Sequence, residues 1–333
     1  MKNTSFIFIL LLLFSCTNEK TSKNKLEQSK DTLETVNVVQ KEIYQGKLVL
    51  KLPQDSSCCT PVDELGGIRG VVGFALMDSN RIAILCETDR VIKIYEMNSN
   101  KFLKEIKLVH PFRNIGYSNL TSSFYMSNRN KLYEYSYQFD SMRVTDINKM
   151  IGLIHEFNML DSNIYGKTSK GNFLLVQNGN PITVENQLNN SIKDIIVNSK
   201  TFVNYTKRIS SFEVNEYSSD TSVKYFINTK EESSFFKFIA SLDNEFIFVK
   251  YLNQGKEKGI IGNYMSISKE DKSISIYSEL PNIHYTSTLN TMQVCNKKLY
   301  HLISTPYSIL VFEIALDKLD KFSYPDSLNY KCI

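Results

Sequence analysis

Tryptophan is absent from the 333 residues, glycine (13) and proline (7) are scarce, and there are only four histidines. So little glycine and proline excludes collagen-like and low-complexity chains. After the first fifteen residues there is no run of about 18 apolar residues, so nothing in the body of the chain can cross a bilayer as a helix. The formal net charge of +4 comes from 39 basic and 35 acidic residues dispersed along the chain. That is too weak and too scattered a field to argue for nucleic acid. The histidines show neither HExxH nor two-His-one-carboxylate spacing, and GxSxG, P-loop and dinucleotide glycine patterns are missing. No metal or cofactor is expected from motifs. What the chain has in quantity is aromatic and apolar: 20 Phe, 19 Tyr and 42% hydrophobic residues, enough for a sizeable core.

The organising stretch is Phe74 to Leu108, which reads as four short strands with three tight turns. Phe74–Met77, Arg81–Cys86, Arg90–Glu96 and Phe102–Leu108 are separated by Asp78-Ser79-Asn80, Glu87-Thr88-Asp89 and Asn98-Ser99-Asn100. Short β-branched and aromatic runs bounded by Asn/Asp/Ser clusters are the signature of consecutive hairpins. A four-stranded meander of this length matches one propeller blade.

The opening of that stretch recurs. An apolar pair, an Asp/Asn/Ser turn and an apolar strand appear around Asp78, Asn128, Asp161, Asn198, Asp243 and Asn296, at steps of 50, 33, 37, 45 and 53 residues. These steps are near the size of a four-stranded blade. The expected fold is all-β: a six-bladed β-propeller of four-stranded antiparallel blades over residues 42–333. Five or seven blades, or a two-sheet sandwich, are the alternatives.

The N-terminus supplies an address. Met1-Lys2-Asn3-Thr4 is a short positive start, and Ser5–Phe14 is an apolar run of signal h-region length. It ends at Leu13-Phe14-Ser15-Cys16, which resembles the bacterial lipobox. The resemblance implies a lipoprotein signal peptide over residues 1–15 and a mature chain that starts at lipidated Cys16, its link to the membrane. Acyl chains hold a protein at a bilayer by apolar burial. Residues 16–41 are polar, with almost no aromatics, and read as a flexible tether.

Cys58, Cys59, Cys86, Cys295 and Cys332 follow no zinc spacing. Cys86 and Cys295 fall inside predicted strands and read as small buried apolar residues. Cys58-Cys59 can form a vicinal disulfide or pair with Cys332, which an oxidising compartment would permit. Ring closure is assigned to Ile43–Leu52, an alternating strand placed beside Ile309–Ile314, because a closed ring removes the free sheet edge. Lys321–Leu328 is the competing last strand. The sequons at Asn119-Leu120-Thr121 and Asn189-Asn190-Ser191 read as chance matches in an Asn/Ser-rich chain.

Strand order sorts the loops onto two faces. The second turn of each blade and the blade-to-blade connections share one face, and loops on a rigid scaffold concentrate binding residues. Candidates there, around the channel mouth, are Arg69, Glu87, Asp89, His110, Arg113, His284 and Tyr285. Glycines around Arg69 allow close backbone approach. Arg69 and Arg113 can hold a carboxylate or phosphate by their planar forks, and the acids and histidines can add acid–base chemistry.

The lipobox, the six repeats and the chain length together resemble the six-bladed β-propeller lipoproteins of Bacteroidetes, the TolB-like propeller group. Glu64-Leu65-Gly66-Gly67-Ile68-Arg69-Gly70 stands where many members have a Gly-rich loop, without its proline. The resemblance implies an outer-membrane address. Thr17-Asn18-Glu19-Lys20, with one acid and one base, points to the periplasmic side, with the cell surface as the alternative. Two classes of function remain. One is a monomeric binding module for a protein, peptide or glycan partner. The other is a periplasmic hydrolase or lyase with acids and histidines at the channel mouth.

Overall fold

The computed structural model describes residues 44–55, 57–64, 67–69, 71–160, 163–189, 191–192, 195–198, 201–207, 211–217, 222–228, 234–253, 260–281, 291–305 and 307–324. The chain divides into two compact units, Met1–Gln40 and Lys41–Ile333, and the second is a six-bladed β-propeller. Blade one comprises Val71–Leu76, Arg81–Cys86, Val91–Glu96 and Lys101–Lys107, and blade two runs from Gly116–Ser118 to Ser141–Asp146. Blades three, four and five begin at Glu156–Leu160, Ile195–Asn198 and Ser234–Ser241. Blade six combines Met292–Cys295, Lys298–Ser304 and Ser308–Ala315 with the early strand Lys47–Pro53.

Burial explains why only some strands alternate. In blade one the first three strands are buried along almost their whole length, whereas Lys101–Lys107 is mostly exposed. Inner strands are covered on both faces by neighbouring blades, so both residue sets are apolar. Along Arg81–Cys86, Ile82, Ile84 and Cys86 pack toward blade six, while Ala83 and Leu85 pack toward blade two. The first strands of adjacent blades lie beside one another, as Gly116–Ser118 does with both Val71–Leu76 and Glu156–Leu160. They therefore ring the axis. Gly116 permits that approach, since a Cβ there would meet Met159 and would come within 2.8 Å of the Phe157 Cβ.

The ring closes as the alternation predicts. Lys47–Pro53 pairs antiparallel with Ser308–Ala315, with Leu52 opposite Ile309 and Leu48 opposite Phe312. The competing tail has a smaller part: Phe322–Ser323 pairs in parallel with Tyr44–Gln45, and residues 325–328 lie outside the described residues. Closure is reinforced at the inner edge. Gln293 of blade six donates through Nε2 to the Phe74 carbonyl (2.6 Å) and accepts from the Leu76 amide (3.1 Å) of blade one.

Three expectations need correction. The turn at Asn128 is the second of blade two, between Ser123–Asn128 and Lys131–Ser136; the first lies at residues 119–122. A two-residue turn with Arg129 at φ 55° carries the same Asn-rich chemistry as the first turns. Counting from Leu120 replaces the uneven steps of 50 and 33 with 42 and 41. The second correction concerns cysteine. Cys86 is not a plain apolar residue but is bridged to Cys59, with Cα atoms 5.4 Å apart. Cys58 is a buried free thiol and Cys295 is a half-buried one. The bridge forms because Cys86 points toward the side of blade one over which the entering chain runs. Cys332 lies outside the described residues. Third, blade three has a broken outer edge: Asn180–Pro181 and Ser191–Ile192 both pair with its third strand, around the helix Val184–Asn189. Gln187 of that helix is buried and holds the preceding connection, accepting from Asn148 N (2.8 Å) and donating to Asp146 O (3.1 Å).

Candidate functional site

Antiparallel order places the second turns and the inter-blade connections on one side of the ring, here called the loop face. The first and third turns lie on the opposite face. Lys47–Pro53 runs toward the loop face, because Pro53 pairs with Ser308, where blade six turns there. The following segment lies over the loop-face end of blade one. It carries the Cys59–Cys86 bridge and the short hairpin Val62–Glu64 with Gly67–Arg69.

The described candidates cluster at the junction of blades one and two. Glu87 and Asp89 stand on the second turn of blade one, and His110 and Arg113 on the connection to blade two. Arg113 Nε donates to Glu87 Oε1 at 2.9 Å, so two predicted residues form one ion pair. Asp89 is tied to the overlying segment: its carboxylate accepts from Thr60 N (2.8 Å) and Thr60 Oγ1 (2.5 Å). Exposed His110 packs edge-on against Tyr133 (ring centroids 5.6 Å) and Phe112 (6.4 Å). Both of those rings are buried. Arg69 ends a strand in register with Val62. His284, Tyr285 and Cys16 lie outside the described residues.

Two hollows open between these groups. A cleft of about 600 Å³ is lined by His110, Pro111, Asn128, Arg129, Lys131 and Tyr133. Its wall is held by Asn128 Nδ2 donating to the Pro111 carbonyl (3.1 Å). A second hollow of about 400 Å³ involves Asp89, Arg90, Lys93, Glu105 and Lys107. Lys93 reaches over it, donating to Ser57 O at 2.9 Å and lying 3.9 Å from Glu105. Arg129 and Lys131 were missed from sequence because the Asn128 turn had been assigned to the wrong face. The uneven repeat spacing was the signal that could have found them. Because Glu87 and Asp89 sit between second and third strands, they stand outward of the first strands that ring the axis.

Cys58 lies just under this region. Burial raises its thiol above the ordinary value, and it sits 3.3 Å from Tyr95 Oη. A thiol so placed is a packed group rather than a nucleophile. Among the described residues no cluster of three or more His, Cys, Asp or Glu side chains could hold a metal ion, and no helix is long and apolar enough to cross a membrane.

Fold and loop geometry define the class: a closed six-bladed β-propeller with a charged loop face. No family model matches the sequence, and no curated protein matches it. Solved structures do. A protein of Bacteroides fragilis NCTC 9343 described as exported aligns over 81% of this chain and 95% of its own, with 11% identity and TM-score 0.43. The extracellular domain of a one component system from B. thetaiotaomicron aligns over 81% of this chain and 39% of its own, with 13% identity and TM-score 0.40. The WD40 β-propeller domain of Doa1 aligns over 80% and 97%, with 9% identity and TM-score 0.44.

Proposed function

We propose that this chain is an exported, lipid-anchored propeller of the TolB-like Bacteroidetes type, and that it works as a binding module for a protein, peptide or glycan through its loop face. The observation that carries the reading is the cleft at the junction of blades one and two. It combines an exposed imidazole backed by buried rings with two cationic side chains, Arg129 on the second turn of blade two and Lys131 at the start of the strand that follows. Such a surface suits an extended polar segment bearing acidic groups, because cations and aromatic faces are common anchors at interfaces. The Cys59–Cys86 bridge supports export, since stable disulfides belong to oxidising compartments. The outer membrane, periplasmic side, is the address this reading carries, with Cys16 as the anchor.

Two experiments test it. Cys16→Ser should move the protein from the membrane pellet to the supernatant; a variant that stays in the pellet rejects the anchor. Wild type and a His110→Ala, Arg129→Ala, Lys131→Ala triple variant should recover different partners from an outer-membrane extract and from a glycan array. Identical sets from both proteins would reject this face.

A further inference from the structure

The cleft on the loop face does not stand alone. The second turn of blade two, which carries Arg129, lies between two inter-blade connections, and both are tied to it. On one side Asn128 Nδ2 donates to the Pro111 carbonyl, on the connection from blade one (3.1 Å). On the other side the Ile147 amide, which opens the connection to blade three, donates to the Asn130 carbonyl (2.6 Å). The two connections also meet, because Asn114 Nδ2 donates to the Ile154 carbonyl. The second connection has further ties. Lys170, on the second turn of blade three, donates to the Met150 carbonyl (2.7 Å), and Asn148 Nδ2 donates to the Val184 carbonyl of the short helix (3.1 Å). Loops fastened to one another in this way form a preorganised surface, and preorganisation lowers the entropy lost on binding.

Both connections expose large apolar side chains. Val109 is 61% exposed on the first, and Met150 and Leu153 are 67% and 55% exposed on the second. Elsewhere the described part of the loop face exposes one such side chain, Tyr307 of blade six. Apolar residues exposed singly are ordinary on a protein surface. Here they bracket a group of cations. Arg129, Lys131 and Lys149 have no ion pair among the described residues, and Lys170 adds another positive charge. The acids beside them are Asp146, opposite Lys131 in the sheet, and Glu185 on the helix. Positive charge therefore prevails at the centre. Read across the turn of blade two, the surface runs apolar, cationic, apolar.

We infer that the partner of this face is a protein segment that crosses the second turn of blade two, with an acidic residue at Arg129 and Lys131 and apolar residues on both flanks. This rests on the loop-face reading above and narrows it from protein, peptide or glycan to protein. Burial of Val109, Met150 and Leu153 is favourable against other apolar side chains, in proportion to the area removed from water. Met and Arg are also enriched where proteins meet. A glycan gains little from these three residues, since none of them offers an aromatic face for a sugar ring.

The test selects a phage-displayed library of random peptides on the purified full chain. Enriched sequences should carry Asp or Glu with aliphatic or aromatic residues on both sides. The enriched peptides should bind the Met150→Ser, Leu153→Ser variant about tenfold more weakly than wild type, the loss expected when anchor side chains are removed. Both positions are exposed, so this variant should melt with wild type. Val109→Ser, on the other flank, should weaken binding in the same direction and serves as an independent variant. An empty selection, enrichment of basic or wholly polar sequences, or equal binding to wild type and to both flank variants overturns the inference. The cleft itself is judged separately. Peptides that ignore the flank variants but are lost in the His110→Ala, Arg129→Ala, Lys131→Ala variant leave the cleft standing, whereas peptides that ignore all three variants reject both. Polygalacturonate, an acidic glycan without apolar side chains, should fail to displace the peptides at equal charge concentration. Displacement there makes the partner an acidic glycan and overturns the inference.

Discussion

The seam between blades six and one and the seam between blades five and six face the same task with different materials. The first must join strands from opposite ends of the sequence. It uses the closing strand Lys47–Pro53, the Gln293 side chain bound to the blade-one backbone, and the Cys59–Cys86 bridge just beyond that strand. The second joins blades that follow one another in the chain. It is filled by Leu299, Ile303, Phe312 and Phe322 around a buried polar chain, in which Tyr324 Oη lies 2.6 Å from His301 Nδ1 and 2.7 Å from Tyr264 Oη. Where strands from opposite ends of the sequence must meet, the fold adds backbone-directed hydrogen bonds, and a bridge of short span pins the segment after the closing strand to blade one. Where the chain is already local, packing suffices and polar groups sit inside it.

The largest effect should come from cutting the covalent link. Cys59→Ala with Cys86→Ala opens a loop of sequence separation 27, which on loop-entropy grounds costs about 3.5 kcal/mol. Urea unfolding, with and without reductant, reads this directly. A double variant as stable as oxidised wild type would show that the closing strand and Gln293 hold the seam unaided.

Next is the pH response of the other seam. Burial first, then the Lys237 charge, lowers the His301 pKa from 6.5 to about 3, while burial raises those of Tyr264 and Tyr324. The folded protein therefore holds the neutral imidazole, and the unfolded chain binds the proton. Stability from this group is complete above pH 6.5 and is lost as pH falls toward 3, at about 1.4 kcal/mol per pH unit once well below 6.5. His301→Gln should flatten that slope between pH 6 and pH 4. An unchanged slope would move the acid sensitivity to other groups and remove this contrast between the seams. A smaller loss follows Gln293→Ala, which strips two hydrogen bonds from the inner edge of blade one. We expect about 1 to 2 kcal/mol, mostly from the Phe74 carbonyl left without its donor.

Much of this scaffold is legible from residues. The strands of blade one fall within a few residues of the expected ones, because Asp78-Ser79-Asn80 and Asn98-Ser99-Asn100 are turn formers whose conformation few other residues accept; Asn98 and Asn100 both adopt positive φ. Turn chemistry identifies a turn but not its place in a blade, which is why Asn128 was put on the wrong face. The broken edge of blade three was illegible because a six-residue helix is too short to show a period. The site divides in the same way. Glu87 and Arg113 could be placed on one face from strand order, but their mutual pairing required coordinates.

The smallest expected effect is the one that separates the loop face from the frame beneath it. Arg113 is 61% exposed and its partner Glu87 is 17% exposed. An ion pair with one arm in water contributes less than about 1 kcal/mol, and Arg113→Ala should shift the urea midpoint by no more than that. The shift should shrink further as added salt shortens the Debye length to about 3 Å near 1 M. A loss comparable to that of the Cys59–Cys86 bridge would mean that Arg113 belongs to the frame, and that loss of a partner in an Arg113 variant reports unfolding. A loss within the expected range, with partner recovery changed, would instead place the charge at the surface where binding is read, because the ring beneath it would be shown to stand without it.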